Sequence, residues 1–232
     1  MEVTRKLIIG WLLVIGIVSV GRACEHCTAL AVGNVVPAKV KYFGLKDVRL
    51  LDSPFKNAMD RNAAWMLEMD MDRLLSNFLK NAGLEPKGES YGSWESMGIA
   101  GHTLGHYLSA VSAVVERYED AGLARNLEKV VEGMYACQQA HGNGYLSAFP
   151  ETDIEVLETR FTGVWAPYYT LHKIMQGLLD VYLRTGNEKA YAMVEGLAGY
   201  VDRRMSKLDP ATVARMMYTA DANPQNLSLI HI

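Results

Sequence analysis

Cysteine is scarce: Cys24, Cys27 and Cys137 are the only three in 232 residues, too few for a disulfide-built scaffold. Proline is also scarce, at seven, and no stretch is of low complexity, which excludes a collagen-like fibre. Neither charge sign dominates. The 23 Lys and Arg stand against 26 Asp and Glu, a net of −3, so the chain lacks the clustered basic surface that nucleic acid requires and is no acidic tail. A single long apolar run covers residues 7–20, shorter than the roughly 20 apolar residues of a spanning helix. With half its residues apolar and 21 % charged, the chain reads as globular.

The apolar run follows Arg5 and Lys6 and precedes Gly21-Arg22-Ala23. A charged head, a short apolar run and a small-x-small site describe a secretory signal peptide over residues 1–23. Its removal takes away three basic residues and one acidic residue, moving the charge from −3 to −5. Export places the protein outside the cytoplasm, secreted or periplasmic, with Cys24 at the new N-terminus as a candidate for lipid attachment. Cys24-Glu25-His26-Cys27 spells C-x-x-C, but a thioredoxin-type site needs a strand before it and a helix after it. Here residues 24–39 look like a linker, so a terminal disulfide or anchor suits the pair better.

Residues 40–51 alternate enough (Val40, Tyr42, Val48, Leu50) to suggest short strands or an extended arm. Ser53-Pro54 then opens a helix, Ser as N-cap and Pro at the first position. Apolar residues at helical spacing continue through 55–80 and include Met59, Met66 and Met69, read as core filling, before Gly83 stops the run. Residues 97–118, 123–140, 165–185, 188–207 and a shorter 211–218 show the same period. Tyr118-x3-Gly122 recurs as Tyr182-x3-Gly186, and Val131-Glu132-Gly133 as Val194-Glu195-Gly196. Each copy predicts a helix ending at the Gly and an antiparallel helix after it. A repeated helical hairpin cannot bury its apolar side alone, which implies a solenoid or a closed α/α toroid. The predicted fold is all-α, an incomplete (α/α)6 barrel in one domain over residues 40–226, with a short extended N-terminal arm. A six-hairpin toroid of this period needs about 384 residues, more than the 209 that follow the signal peptide. The chain therefore reads as truncated, with residues 227–232 resembling a sequencing-adapter scar.

Chemistry-bearing residues gather at helix starts and in the loops 84–95 and 141–164. Gly101-His102-x3-His106-Tyr107 puts two imidazoles on one helix face. They could chelate a metal, hydrogen-bond a hydroxylated ligand, or sit satisfied in the core. Cys137 and His141 share that spacing, but a lone Cys beside Met134, Tyr135 and Ala136 reads as a small buried hydrophobe. Ser93-Trp94-Glu95-Ser96 precedes the histidine pair. Asn143-Gly144-Tyr145-Leu146 follows one helix, and Trp165-x-Pro167-Tyr168-Tyr169-x-Leu171-His172-Lys173 opens the next. Aromatic rings stack on the apolar faces of sugars, and His, Asn and Glu bond hydroxyls. A carbohydrate cleft is the simplest chemistry for this set, although the Pro and Tyr residues of 167–169 could serve only to pack the helix start.

Together, Trp94-Glu95-Ser96, Gly101-His102-x-Leu104-Gly105-His106-Tyr107-Leu108-Ser109-Ala110, Asn143-Gly144-Tyr145-Leu146 and Trp165-x-Pro167-Tyr168-Tyr169-x-Leu171-His172-Lys173 resemble the glycoside hydrolase family 127/146 group. The likeness runs from about residue 45 to 205. It implies an (α/α)6 catalytic barrel, often followed by β-sandwich domains, that removes β-L-arabinofuranose from plant-type glycans with retention of configuration. It also implies a zinc-bound cysteine thiolate as nucleophile, a glutamate acid/base, and zinc held by three cysteines and a glutamate. In the family those residues lie C-terminal to the His-Lys motif, so no catalytic or metal residue is assigned here and the fragment alone is expected to be inactive. The sugar-site residues that carry over are His172, then Trp94, Glu95, His102, His106 and Tyr145. Residues 217–224 depart from the family's Glu-containing, Gly-rich turn. Rival readings are an (α/α)6 glycosidase using two carboxylates and a non-catalytic helical carbohydrate-binding protein.

Overall fold

The computed structural model describes residue 40 and residues 43–218. The signal-peptide, C-x-x-C and adapter-scar assignments lie outside those residues. Among the described residues there are eight α-helices and no strand: α1 (Pro54–Glu68), α2 (Met71–Asn81), α3 (His102–Tyr118), α4 (Ala121–His141), α5 (Thr152–Arg160), α6 (Pro167–Thr185), α7 (Glu188–Met205) and α8 (Pro210–Tyr218). The architecture is all-helical, part of a helical barrel. Where short strands are one expectation for 40–51, the described residues of the arm form none: a 3-10 turn at Leu45–Asp47 is flanked by extended Gly44 and Val48. Arg117 Nη1 donates to Leu45 O at 2.7 Å and ties the arm to α3.

Two hairpins, α3/α4 and α6/α7, form the body. α3 lies along α6, and α4 lies between α2 and α7. Both hairpin turns use the same device. Glu119 takes a left-handed conformation (φ 51°) and Asp120 then caps α4, its Oδ1 accepting from Gly122 N and Leu123 N. Gly186 (φ 70°) and the cap Asn187, whose Oδ1 accepts from Ala190 N, repeat it at α7. The turns therefore correspond at a shift of 67 residues. The Tyr-x3-Gly match at a shift of 64 is corrected accordingly: Gly122 lies in the first turn of α4, whereas Gly186 ends α6.

The single helix expected over 55–80 is two. Met69 is extended, and the Asp70 carboxylate accepts from Asp72 N at 2.9 Å to start α2. The apolar period runs on across this break because Met66, Met71, Leu74, Leu75 and Phe78 all reach the core. Likewise the helix expected from 97 starts at His102, after Gly101 (φ 98°). The loop 141–164 contains α5, whose first turn carries Asp153 and Glu155 and which buries Ile154 and Leu157; carboxylates there favour the helix dipole. α5 is clamped to α7 by Arg204, which donates from Nε and Nη2 to the two oxygens of Glu158 at 2.9 and 2.6 Å. Tyr168, at the start of α6, donates to the same carboxylate. Cys137 is fully buried in the core, and burial pushes its thiol up to about 12, which makes it a packing residue and no nucleophile.

Candidate functional site

The site begins with a short 3-10 turn, Ser93–Ser96, in front of α3. Ser93 stands at φ 59°, and Asn77 of α2 donates to Glu95 O at 2.6 Å. The turn sends two consecutive side chains opposite ways: Trp94 is 57 % exposed, Glu95 only 7 %. The Glu95 carboxylate folds back onto the start of α3. Its Oε2 accepts from Gly101 N at 2.7 Å and its Oε1 from Thr103 N at 3.3 Å. Unpaired amides at a helix N-terminus are where an anion is stabilised, so Glu95 acts as a cap supplied from outside the helix.

His102 is buried beside that carboxylate, Nδ1 to Oε1 at 3.4 Å. The same Nδ1 is 2.7 Å from Ile99 O. A carbonyl only accepts, so Nδ1 carries the proton, and in the neutral ring Nε2 is left as an acceptor. Around His102 the rings of Trp94, His106 and Tyr169 lie at centroid distances of 5.7, 6.0 and 6.3 Å. His106 Nε2 is 3.5 Å from the Tyr169 hydroxyl, and Lys173 Nζ stands 5.2 Å over the Tyr169 ring. Desolvation, then the nearby Lys173 charge and His102, hold His106 below its ordinary value of 6.5. The set can present ring faces to an apolar surface and imidazole or phenol groups to hydroxyls.

Of the residues singled out from sequence, Trp94, Glu95, His102 and His106 are brought together. His172 lies on α6 next to Lys173, partly buried. Tyr145 lies apart in the core. It is fully buried, its hydroxyl donates to Phe149 O at 2.7 Å, and the rings of Tyr200 and His141 flank it at 5.0 and 5.2 Å; burial drives its phenol far above the usual range. Tyr169 and Lys173 join the cluster although sequence reasoning assigned neither a role there. Their i, i+4 spacing, the same as that of His102 and His106, is the signal that was present. Among the described residues no group of three or more His, Cys, Asp or Glu is placed to hold a metal ion. The zinc that the family resemblance implies finds no fitting donor set in them. No described helix is long and apolar enough to cross a membrane.

A solved structure with a similar backbone is that of a GH127 β-L-arabinofuranosidase from Geobacillus stearothermophilus T6. It superposes with a TM-score of 0.51 at 20 % identity, over 67 % of this chain and 25 % of that one. The chain thus spans about a quarter of the length of that protein, and at this identity the likeness speaks for the fold. No curated protein matches the chain in sequence. The family model that matches is the β-L-arabinofuranosidase GH127 catalytic domain, over residues 47–232. With four fifths of its length so matched and its helices laid out as part of such a barrel, the chain belongs to the GH127 β-L-arabinofuranosidase family.

Proposed function

We propose that the protein to which this segment belongs is an exported, retaining β-L-arabinofuranosidase acting on arabinose-containing plant glycans, and that the segment supplies part of its sugar site. Family membership supports a glycosidase. The observation that carries the role of the segment is the ring cluster of Trp94, His102, His106 and Tyr169, held in place by Glu95 at the start of α3. Of these rings His102 is buried, Tyr169 half-buried, and Trp94 and His106 exposed. Ring faces beside hydrogen-bonding imidazole and phenol groups suit a sugar, which offers both C–H groups and hydroxyls. His172 stands one residue before Lys173 on the helix that brings Tyr169 to the cluster.

The bond-breaking groups are proposed to belong to the rest of the catalytic domain, where zinc would activate the thiolate nucleophile. The residues described here bind and orient: Nδ1–H of His102 is committed to Ile99 O, which leaves its other nitrogen to accept from a sugar hydroxyl. The test is hydrolysis of a chromogenic β-L-arabinofuranoside by the full-length gene product, with the first-formed anomer followed by proton NMR. The expected result is release of the β-anomer by the full-length protein and no release by residues 24–226 alone. Failure to cleave this glycoside, or release of the α-anomer first, refutes the proposal.

A further inference from the structure

An open cleft of about 400 Å³ is lined by residues of α1, of the Ser93–Ser96 turn and of the start of α3, Glu95 among them. Trp65, Glu68, Tyr91, Ser93, Trp94 and Thr103 line it. Two large indoles face solvent here, Trp65 at 58 % and Trp94 at 57 % exposure, where burial against another surface is worth more than for any other side chain. Tyr91, also in the lining, is held firmly. Tyr91 has the Arg73 guanidinium 4.0 Å from its ring centre, and its hydroxyl accepts from Asp70 N at 3.0 Å. Ser93 holds a left-handed φ of 59° that a serine adopts only at some cost, and such strain gathers at ligand sites. The Glu68 carboxylate, the Ser93 hydroxyl and the Thr103 hydroxyl are polar groups of the kind that bond sugar hydroxyls.

Trp94 belongs to both places, since its ring is also 5.7 Å from that of His102. Resting on the function proposed above, we propose that this cleft binds a second sugar unit of the glycan chain. The unit lies between Trp65 and Trp94 while the terminal arabinose occupies the His102–His106–Tyr169 cluster. The protein then prefers oligosaccharides over simple aryl glycosides, and Trp65 sets that preference.

The test uses the full-length protein and the variants Trp65→Ala and Trp65→Phe. An L-arabinofuranosyl trisaccharide is compared with a chromogenic monosaccharide glycoside. In Trp65→Ala the ratio of kcat/KM for trisaccharide over aryl glycoside should fall about ten-fold, through KM, and Trp65→Phe should recover most of it. In parallel, tryptophan fluorescence is titrated with the trisaccharide and with arabinose: wild type should respond more tightly to the trisaccharide, and Trp65→Ala should lose that difference. An unchanged ratio, or a Trp65 that acrylamide cannot quench in the full-length protein, overturns the proposal. If no β-L-arabinofuranoside is cleaved at all, the activity proposed above fails, and the fluorescence titration still decides the cleft.

Discussion

Gly105 of α3 and Gly177 of α6 meet backbone to backbone. A β-carbon on Gly105 would lie 2.3 Å from Lys173 O, and one on Gly177 would lie 2.4 Å from Gly105 O. The two helices that carry His102, His106, Tyr169 and Lys173 therefore touch through their backbones at this point, and neither position has room for a methyl group. Gly105→Ala or Gly177→Ala must push α3 and α6 apart. Each is expected to destabilise the full-length protein by about 1–3 kcal/mol, read as a lower denaturation midpoint. The separation also loosens the ring cluster, so kcat/KM should fall along with stability. A wild-type midpoint for both variants would show that the seam has slack the geometry does not suggest.

Glu95 presents a second case in which stability and binding are joined. Both carboxylate oxygens accept helix-start amides while one also flanks His102. Glu95→Gln keeps one acceptor oxygen and turns the other into a donor facing an N–H. A loss of about 1–2 kcal/mol is expected, as for other lost caps, together with a raised KM because the cap and the His102 ring share one turn. Chemical denaturation and steady-state kinetics on the same preparation check both parts. A change in stability with no change in KM would separate the cap from the site.

His106 gives a pH dependence of definite sign. Its folded-state value lies below 6.5, so the folded protein takes up that proton less readily than the unfolded chain. The stability associated with the neutral ring is complete above about pH 6.5 and declines as the pH falls from there through the lowered value. His141, also lowered by burial, acts in the same direction. Lys173→Met removes one of the influences on His106 but leaves its desolvation, so the His106 titration should move part of the way back up. Proton NMR of the imidazole Cε1–H measures this directly, and an unmoved or lower midpoint would exclude Lys173 as a cause.

Tyr145 and His172 should separate cleanly in kinetics. Tyr145→Phe removes the donor to Phe149 O deep in the core and is expected to cost about 1–2 kcal/mol of stability, with normal kcat/KM for the folded fraction. His172→Ala is expected to do the reverse, lowering kcat/KM at least about ten-fold, or ~1.4 kcal/mol, with the melting temperature nearly unchanged. If Tyr145→Phe instead lost activity at full stability, Tyr145 would belong to the site after all.

Much of this was legible in the chain, and the misses share a cause. Apolar period exposed the hairpins because one stripe of each helix must be buried, and the i, i+4 histidines share a face whatever surrounds them. The Tyr-x3-Gly match does not give the register of the turns, because Glu119, and no glycine, takes the left-handed position after α3. The break before α2 left no mark on the apolar pattern, since core residues continue on both sides of Asp70. α5 was hidden because its clamp comes from Arg204, 46 residues beyond Glu158. The capping role of Glu95 depends on a backbone reversal that spacing alone does not reveal. The packing of Tyr145 against Tyr200, an α7 residue far along the chain, is likewise a contact that local spacing does not show.

The two-residue interruption between α1 and α2 has a further effect. Of the 15 residues of α1 only Met66 is buried, whereas α3 and α6 are locked at the glycine seam. Amide hydrogens of α1 should therefore exchange with solvent through local opening long before those of α3 and α6. Of the two tryptophans that border the cleft, Trp65 rides on this loosely held helix and Trp94 on a turn pinned by Asn77. The two walls of the cleft are therefore expected to differ in stiffness, and if α1 opens first in exchange, the Trp65 wall is the one that yields to chains of differing thickness.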